Sequence, residues 1–221
     1  MTRTAPKLVV FDCDGTLVDS QAAICRSMEA AFAAAGLPAP DRAAIRRIVG
    51  LSLPQALLEL APAATPEQHR LALGTYKADF RNARSEGTLE QPLYPGMAAL
   101  LQRLHDAGRT LGVATGMSDR GLAACLSRHG IAGLFATLQT ADRHPSKPHP
   151  AMLEAALFEA GATPGGAVLV GDTVFDVAMA HAAGVRAVGV AWGYHDPEEL
   201  LAAGAAGVAT SAEHLEELIH A

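Results

Sequence analysis

The 221 residues are half apolar and 18% charged, with a formal net charge of −6, which suits one substantial core carrying an inserted or appended module. That acidic balance, without a run of Lys or Arg, argues against nucleic acid or an anionic membrane as the main partner. Cys13, Cys25 and Cys125 are odd in number and lack C-x-x-C spacing, so neither a disulfide framework nor a zinc site is expected and a reducing cytoplasm is the expected location.

At the N-terminus, Arg3 and Lys7 precede only four apolar residues, too few for a signal-peptide core. No stretch approaches the roughly 18 apolar residues of a membrane span. The four, Leu8-Val9-Val10-Phe11, read as a buried strand that ends in Asp12-Cys13-Asp14-Gly15-Thr16. Carboxylates at the end of a buried strand cost free energy unless paired, so Asp12 and Asp14 imply a cation or a shared proton. Gly15 allows a sharp turn and a close approach to a ligand, and Thr16 is expected to hydrogen-bond locally. An isolated D-x-D-G is equally an acidic turn capping the next helix.

After Asp19 the apolar period becomes helical. Ile24, Met28, Ala31, Phe32 and Ala35 share a face, closed by Gly36-Leu37-Pro38. Asp41 caps a second helix ending at Gly50, Ser52 opens a third through Leu60, and Thr65-Pro66-Glu67-Gln68 carries a capping box for a fourth running toward Arg84. The next strand starts only at Thr110. A structureless connection of that length is improbable, so the intervening helices are expected to form their own bundle over the site.

From Pro95-Gly96 helices and strands alternate. Strands are expected at 110–115, 136–139, 167–170 and 185–190, separated by helices from Met97, Arg120, Ala151 and Val174 and followed by capped helices at Asp196 and Ser211. The pattern predicts an α/β fold, a doubly wound parallel sheet with a Rossmann-like core and an inserted all-α cap: residues 1–19 and 92–221 as core, 20–91 as cap. Ligands bind such sheets beyond the carboxyl ends of the strands, where Asp12, Thr115 and Gly171-Asp172 all fall.

Asp172 and Asp176 flank the start of a helix and can face one side of it; alone, they are equally a capping aspartate and a solvated one. Thr115-Gly116 offers a hydroxyl and backbone N–H groups suited to phosphate. Lys147, among Pro145, Pro148 and Pro150, is a single cation on a restrained backbone, although a loop lysine alone is usually solvated.

The segment D-C-D-G-T-L-V-D resembles the nucleophile motif of the haloacid dehalogenase superfamily of phosphatases, and the four segments together resemble its four motifs in order. The helical insert is similar to the caps placed between the first two. The resemblance implies Asp12 as nucleophile, Asp14 as general acid/base, and Gly15, Thr115, Gly116 and Lys147 as phosphate-binding residues. It implies Mg²⁺ held by Asp12, Asp172 and the Asp14 backbone carbonyl, with Asp176 supporting the metal's water shell. The charges agree: the carboxylates and a phosphate dianion outnumber the single lysine, at about 4 kcal/mol per pair near ~4 Å and an effective dielectric of about 20, so a hard divalent cation is needed.

The presence of Asp14 favours phosphatase over dehalogenase. Tyr94-Pro95-Gly96, Ser146-Lys147-Pro148-His149-Pro150 and Gly189-Val190-Ala191-Trp192-Gly193-Tyr194 resemble the phosphoglycolate phosphatase-like branch, which makes phosphoglycolate one candidate among small phosphorylated metabolites. Met117 and Asp119 stand where that branch would carry basic residues. Arg46 and Arg47 are candidate cap specificity residues, able to clamp a carboxylate, or else ordinary solvated arginines. Trp192 could line the pocket or pack beneath it, and His149 is positional. A phosphomutase, an inorganic diphosphatase and a non-catalytic phosphate-binding regulatory protein remain alternatives. A monomer and a dimer are both compatible with the sequence.

Overall fold

A computed structural model describes residues 6–221; Arg3 lies outside the described residues. Six parallel strands form one sheet in the order β3-β2-β1-β4-β5-β6. They are β1 (Leu8–Phe11), β2 (Thr110–Thr115), β3 (Phe135–Thr140), β4 (Ala167–Gly171), β5 (Arg186–Val190) and β6 (Val208–Ala209). All but the last match the expected strands to within a residue. The two residues of β6 carry too short an apolar run to signal a strand, and pairing with β5 completes that edge.

The central strands are continuous apolar runs because both faces are covered. On one face Val9, Phe11, Val113 and Val170 pack with α5 (Met97–Asp106), α6 (Asp119–Arg128) and α10 (Ala212–His220). On the other, Leu8, Val10 and Leu169 pack with α7 (Ala151–Glu159), α8 (Val174–Ala182) and α9 (Pro197–Ala202). Each such fully buried Val, Leu or Phe contributes roughly 1.5–3 kcal/mol. Strand β1 lies between β2 and β4, where the winding direction of the sheet reverses, so its carboxyl end opens at the crevice that ligands use.

Between β1 and β2 stand α1 (Gln21–Ala34), α2 (Arg42–Ile48), α3 (Leu53–Leu60) and α4 (Pro66–Ser85), with no strand among them. The Asp41 side chain caps α2 by accepting the Ala43 N–H at 3.2 Å. Thr65 and Gln68 form the expected reciprocal capping box, at 3.0 and 3.2 Å. These four helices bury a third cluster around Met28, Phe32, Ile45 and Leu57, which Tyr194 from the loop after β5 joins. The chain leaves and re-enters the sheet unit along paired segments: Val18 bridges Leu93 in antiparallel fashion, and Asp19 N donates to Pro92 O at 2.8 Å. No helix among the described residues is long and apolar enough to cross a membrane. All three cysteines are buried free thiols.

Candidate active site

At the end of β1, Asp12 is 1% exposed. Its Oδ1 accepts the Cys13 N–H at 2.6 Å and lies 2.9 Å from Lys147 Nζ, while Oδ2 is buried without a hydrogen-bond partner. The turn that follows is held by Gly15 at φ 85. A Cβ on Gly15 would lie 2.2 Å from Asp172 Oδ2 and 2.5 Å from the Tyr194 ring. The constraint at Gly15 is therefore contact with protein side chains on the β4 and β5 loops.

Thr16 departs from expectation. Its hydroxyl bonds not locally but to Asp172 Oδ1 at 2.8 Å, across 156 positions of sequence. Asp172 Oδ2 accepts the Tyr194 N–H at 2.9 Å. The Asp14 carboxylate accepts a short hydrogen bond from Ser20 Oγ, which also meets Tyr194 Oη at 3.2 Å. Sequence reasoning assigned no role to Ser20, and Tyr194 entered only as part of a family pattern. Ser20 reaches Asp14 from six residues away, and Tyr194 meets Ser20 from across the chain.

Helix α8 begins after Asp172, with Thr173 as its N-cap; the capping residue here is a threonine and not an aspartate. Asp176 at N3 reaches back in a capping box, its Oδ2 accepting the Thr173 hydroxyl at 2.7 Å. Its Oδ1 meets Lys147 Nζ at 2.6 Å. Lys147 is fully buried and bridges Asp12 and Asp176, so the restrained loop does aim a single cation at the carboxylates. The carboxylates of Asp12, Asp172 and Asp176 offer oxygens within 4.8 Å of one another.

Burial, then the charges of Asp176 and Asp14, push Asp12 up to about 7 against the pull of Lys147. Burial also raises Asp14, opposed by the Ser20 hydrogen bond and by Lys147. Asp172 is driven well above the usual carboxylate range by burial and by the charges of Asp12 and Asp176. Burial alone would lower Lys147, but Asp12 and Asp176 hold its ammonium charged, above the ordinary lysine range. One cation among buried carboxylates leaves a negative surplus. With the unpartnered Asp12 Oδ2 and an all-oxygen donor set, the residues fit a hard divalent cation.

Thr115 ends β2 at 1% exposure, and its hydroxyl oxygen accepts the Met117 N–H at 3.3 Å. Thr115 and Gly116 share a cavity of about 370 Å³ with Asp12 and Asp14. A Cβ on Gly116 would lie 2.4 Å from Leu51 O, so this glycine lets the helical insert approach the sheet. The two candidate specificity arginines lie elsewhere. Arg46 donates to Gln21 Oε1 at 3.1 Å, Arg47 pairs with Glu199 at 2.5 Å, and neither lines the cavity. Lys77, Arg81, Arg84 and Arg120 line it instead, four residues that sequence reasoning passed over because helix-surface cations carry no local signal. Trp192 packs on the core and donates to Thr16 O at 3.1 Å. His149 accepts the Ala151 N–H at 3.2 Å, a positional role.

Residues 9–190 match the family model described as haloacid dehalogenase-like hydrolase. The chain is 37% identical over 202 residues to the probable phosphatase IndB of Dickeya dadantii, covering 89% of this chain and 86% of that one. It is 30% identical over 225 residues to a phosphoglycolate phosphatase of Vibrio parahaemolyticus, covering 99% and 98%. Among solved structures, a predicted phosphatase from Clostridium acetobutylicum superposes with a TM-score of 0.87 at 27% identity, covering 97% of this chain and 98% of that one.

Proposed function

We propose that this chain, which belongs to the haloacid dehalogenase-like hydrolases and is a hydrolase of the phosphatase class, is a Mg²⁺-dependent phosphatase of small phosphorylated metabolites acting through an aspartyl phosphate on Asp12. One observation carries the reading. Asp12 combines a buried, unpartnered Oδ2 with an Oδ1 fixed by Lys147 and the Cys13 N–H, in a cavity that it shares with Asp14.

In this reading Asp12, Asp172 and the Asp14 backbone carbonyl hold the metal, while Asp176 is kept in place by Thr173 and Lys147. Bound Mg²⁺ would neutralise the carboxylate surplus and the charge on the transferring phosphoryl group. The Asp12 carboxylate attacks phosphorus, forming an O–P bond as the ester oxygen departs. Asp14, whose carboxyl burial raises against the Ser20 hydrogen bond and the Lys147 charge, gives its proton to that oxygen. Its carboxylate then removes a proton from a water that attacks phosphorus, which releases inorganic phosphate and restores the Asp12 carboxylate. Lys147 and the Thr115 hydroxyl hold the phosphoryl oxygens. Residues 20–91 act as a cap that excludes bulk water during the first step.

The test is phosphate release from an aryl phosphate by wild type and by Asp12→Asn, each with Mg²⁺ and with a chelator. Release by wild type with Mg²⁺ alone is expected. Turnover by Asp12→Asn comparable to wild type would remove Asp12 as the nucleophile.

A further inference from the structure

The cavity extends well past the chemistry. Ligand sites of about 300–1,000 Å³ hold whole organic molecules. At about 370 Å³, this one leaves room beyond a phosphoryl group for more than a two-carbon alcohol. Part of the wall is apolar, made by Ile24, Met28, Ile48, Tyr76 and Phe80. The Tyr76 and Phe80 rings stack on each other with centroids 4.9 Å apart. A flat apolar body can lie along them, whereas a polyhydroxylated chain would leave its hydroxyls without partners.

The same wall also carries cations. Lys77, Arg81 and Arg84 recur on α4 at a helical spacing, and Arg120 comes from α6 on the sheet side. None of the four takes part in an ion pair among the described residues, whereas Arg42, Arg47, Arg103 and Arg143 each do. Asp142, which also lines the cavity, is engaged by the Asp119 N–H at 2.9 Å. In a chain of net charge −6, four cations outside any ion pair line one cavity, Lys77, Arg81 and Arg120 exposed and Arg84 partly buried, and their charge favours an anion in that part of it.

The order of these features along α4 sets the length of the ligand. Tyr76 lies at the carboxylate end: burial and then the charge of Asp14 raise its phenol. Arg84 lies two turns further along the helix and lines the same cavity as Arg120; burial and then the charge of Arg120 lower its guanidinium. From Tyr76 to Arg84 the helix rises on the order of 12 Å. An anion between Arg84 and Arg120 would relieve their repulsion and accept charge-assisted hydrogen bonds from both walls.

Resting on the phosphatase reading of Asp12, we infer that the substrate is a phosphate monoester whose leaving alcohol carries a flat apolar body and a second anionic group, the body lying against Tyr76 and Phe80 and the anion between Arg84 and Arg120. The guanidinium clamp thus spans cap and core, at positions other than Arg46 and Arg47.

The experiment compares 6-carboxy-2-naphthyl phosphate with its neutral 6-carbamoyl analogue, as kcat/KM with Mg²⁺, for wild type, Arg84→Gln and Arg120→Gln. A preference for the carboxylate of roughly tenfold is expected in wild type, falling toward unity in each variant. Arg84→Lys, which keeps the charge, should retain part of it. The ratio is taken within one preparation, so a loss of folded protein leaves it unmoved. Equal turnover of the two esters by wild type would overturn the anion subsite while leaving the phosphatase reading standing. A preference that persists in both variants would overturn the assignment to these arginines. No phosphate release from either ester would overturn the apolar body, and release from ethyl phosphate, which has no flat apolar body, under the same conditions separates that result from failure of the phosphatase reading itself.

Discussion

The candidate site is a set of buried charges held by neighbours that cannot be exchanged freely. Thr16 and the Tyr194 N–H each hold one oxygen of Asp172, and Gly15 is the only residue type that fits between Asp172 and the Tyr194 ring without strain. The same crowding gives the site a definite pH response. Burial and the neighbouring carboxylates raise Asp12 from 3.8 to about 7, so the folded metal-free protein binds that proton more tightly than the unfolded chain does. Its contribution to stability is complete below pH 3.8 and is lost as pH rises through about 7. A metal competes with that proton, so the increase in Tm produced by saturating Mg²⁺ should be small at pH 5 and climb to a plateau above pH 7. Thermal melts with and without Mg²⁺ across this range measure it directly, and a shift independent of pH would separate the cation from Asp12. At this scale the sequence was readable where chemistry is local, as in the D-x-D-G turn and the lysine among prolines. It was silent on Thr16 with Asp172 and on Ser20 with Tyr194, because those pairings exist only once the fold brings distant loops together.

Among the elements, the seam between α1–α4 and the sheet is made of few, specific contacts. Ser52 N donates to Ser146 Oγ at 2.8 Å, and Arg47 pairs with Glu199. His195 links the two sides, its Nδ1 accepting the Val174 N–H and its Nε2 meeting Arg47 O, both at 3.2 Å. Gly116 sits under the 50–51 turn without a Cβ to obstruct it. Gly116→Ala should therefore push the insert outward by steric contact with backbone, which cannot yield as a flexible side chain can. Since displacements near 1 Å at a reacting centre cost on the order of a hundredfold, kcat/KM should fall by about that factor while the sheet core keeps its stability. Steady-state kinetics beside a urea melt distinguish this from general unfolding. The helices themselves were legible from caps and period, Thr65 with Gln68 being the plainest case. Their mutual orientation has no such signal, so the sequence points to Arg46 and Arg47 while the cations that line the cavity are those of α4 and Arg120.

For the molecule as a whole, two cores cover the faces of the sheet and a third is built mainly from the helical insert, with Tyr194 joining it from the sheet side. A unit with its own small core, joined to the rest by two chain crossings, is expected to open more readily than a doubly covered sheet. Hydrogen exchange should show amides of α1–α4 exchanging at least tenfold faster than those of β1, β2 and β4, a factor that corresponds to about 1.4 kcal/mol. Uniform protection throughout would mean that the insert and sheet unfold as one. The architecture was foreseeable because strand and helix periods alternate cleanly after Gly96, while the short β6 owes its existence to an edge that β5 supplies. The two crossings run side by side, Val18 against Leu93 and Asp19 against Pro92. An interruption whose entrance and exit coincide can be excised or swapped at the level of the gene without re-routing the strands that carry the carboxylates. The sheet and the wall that covers it can thus change separately, the strand-end loops staying in place while successive inserts reshape the part of the cavity that α1–α4 supply.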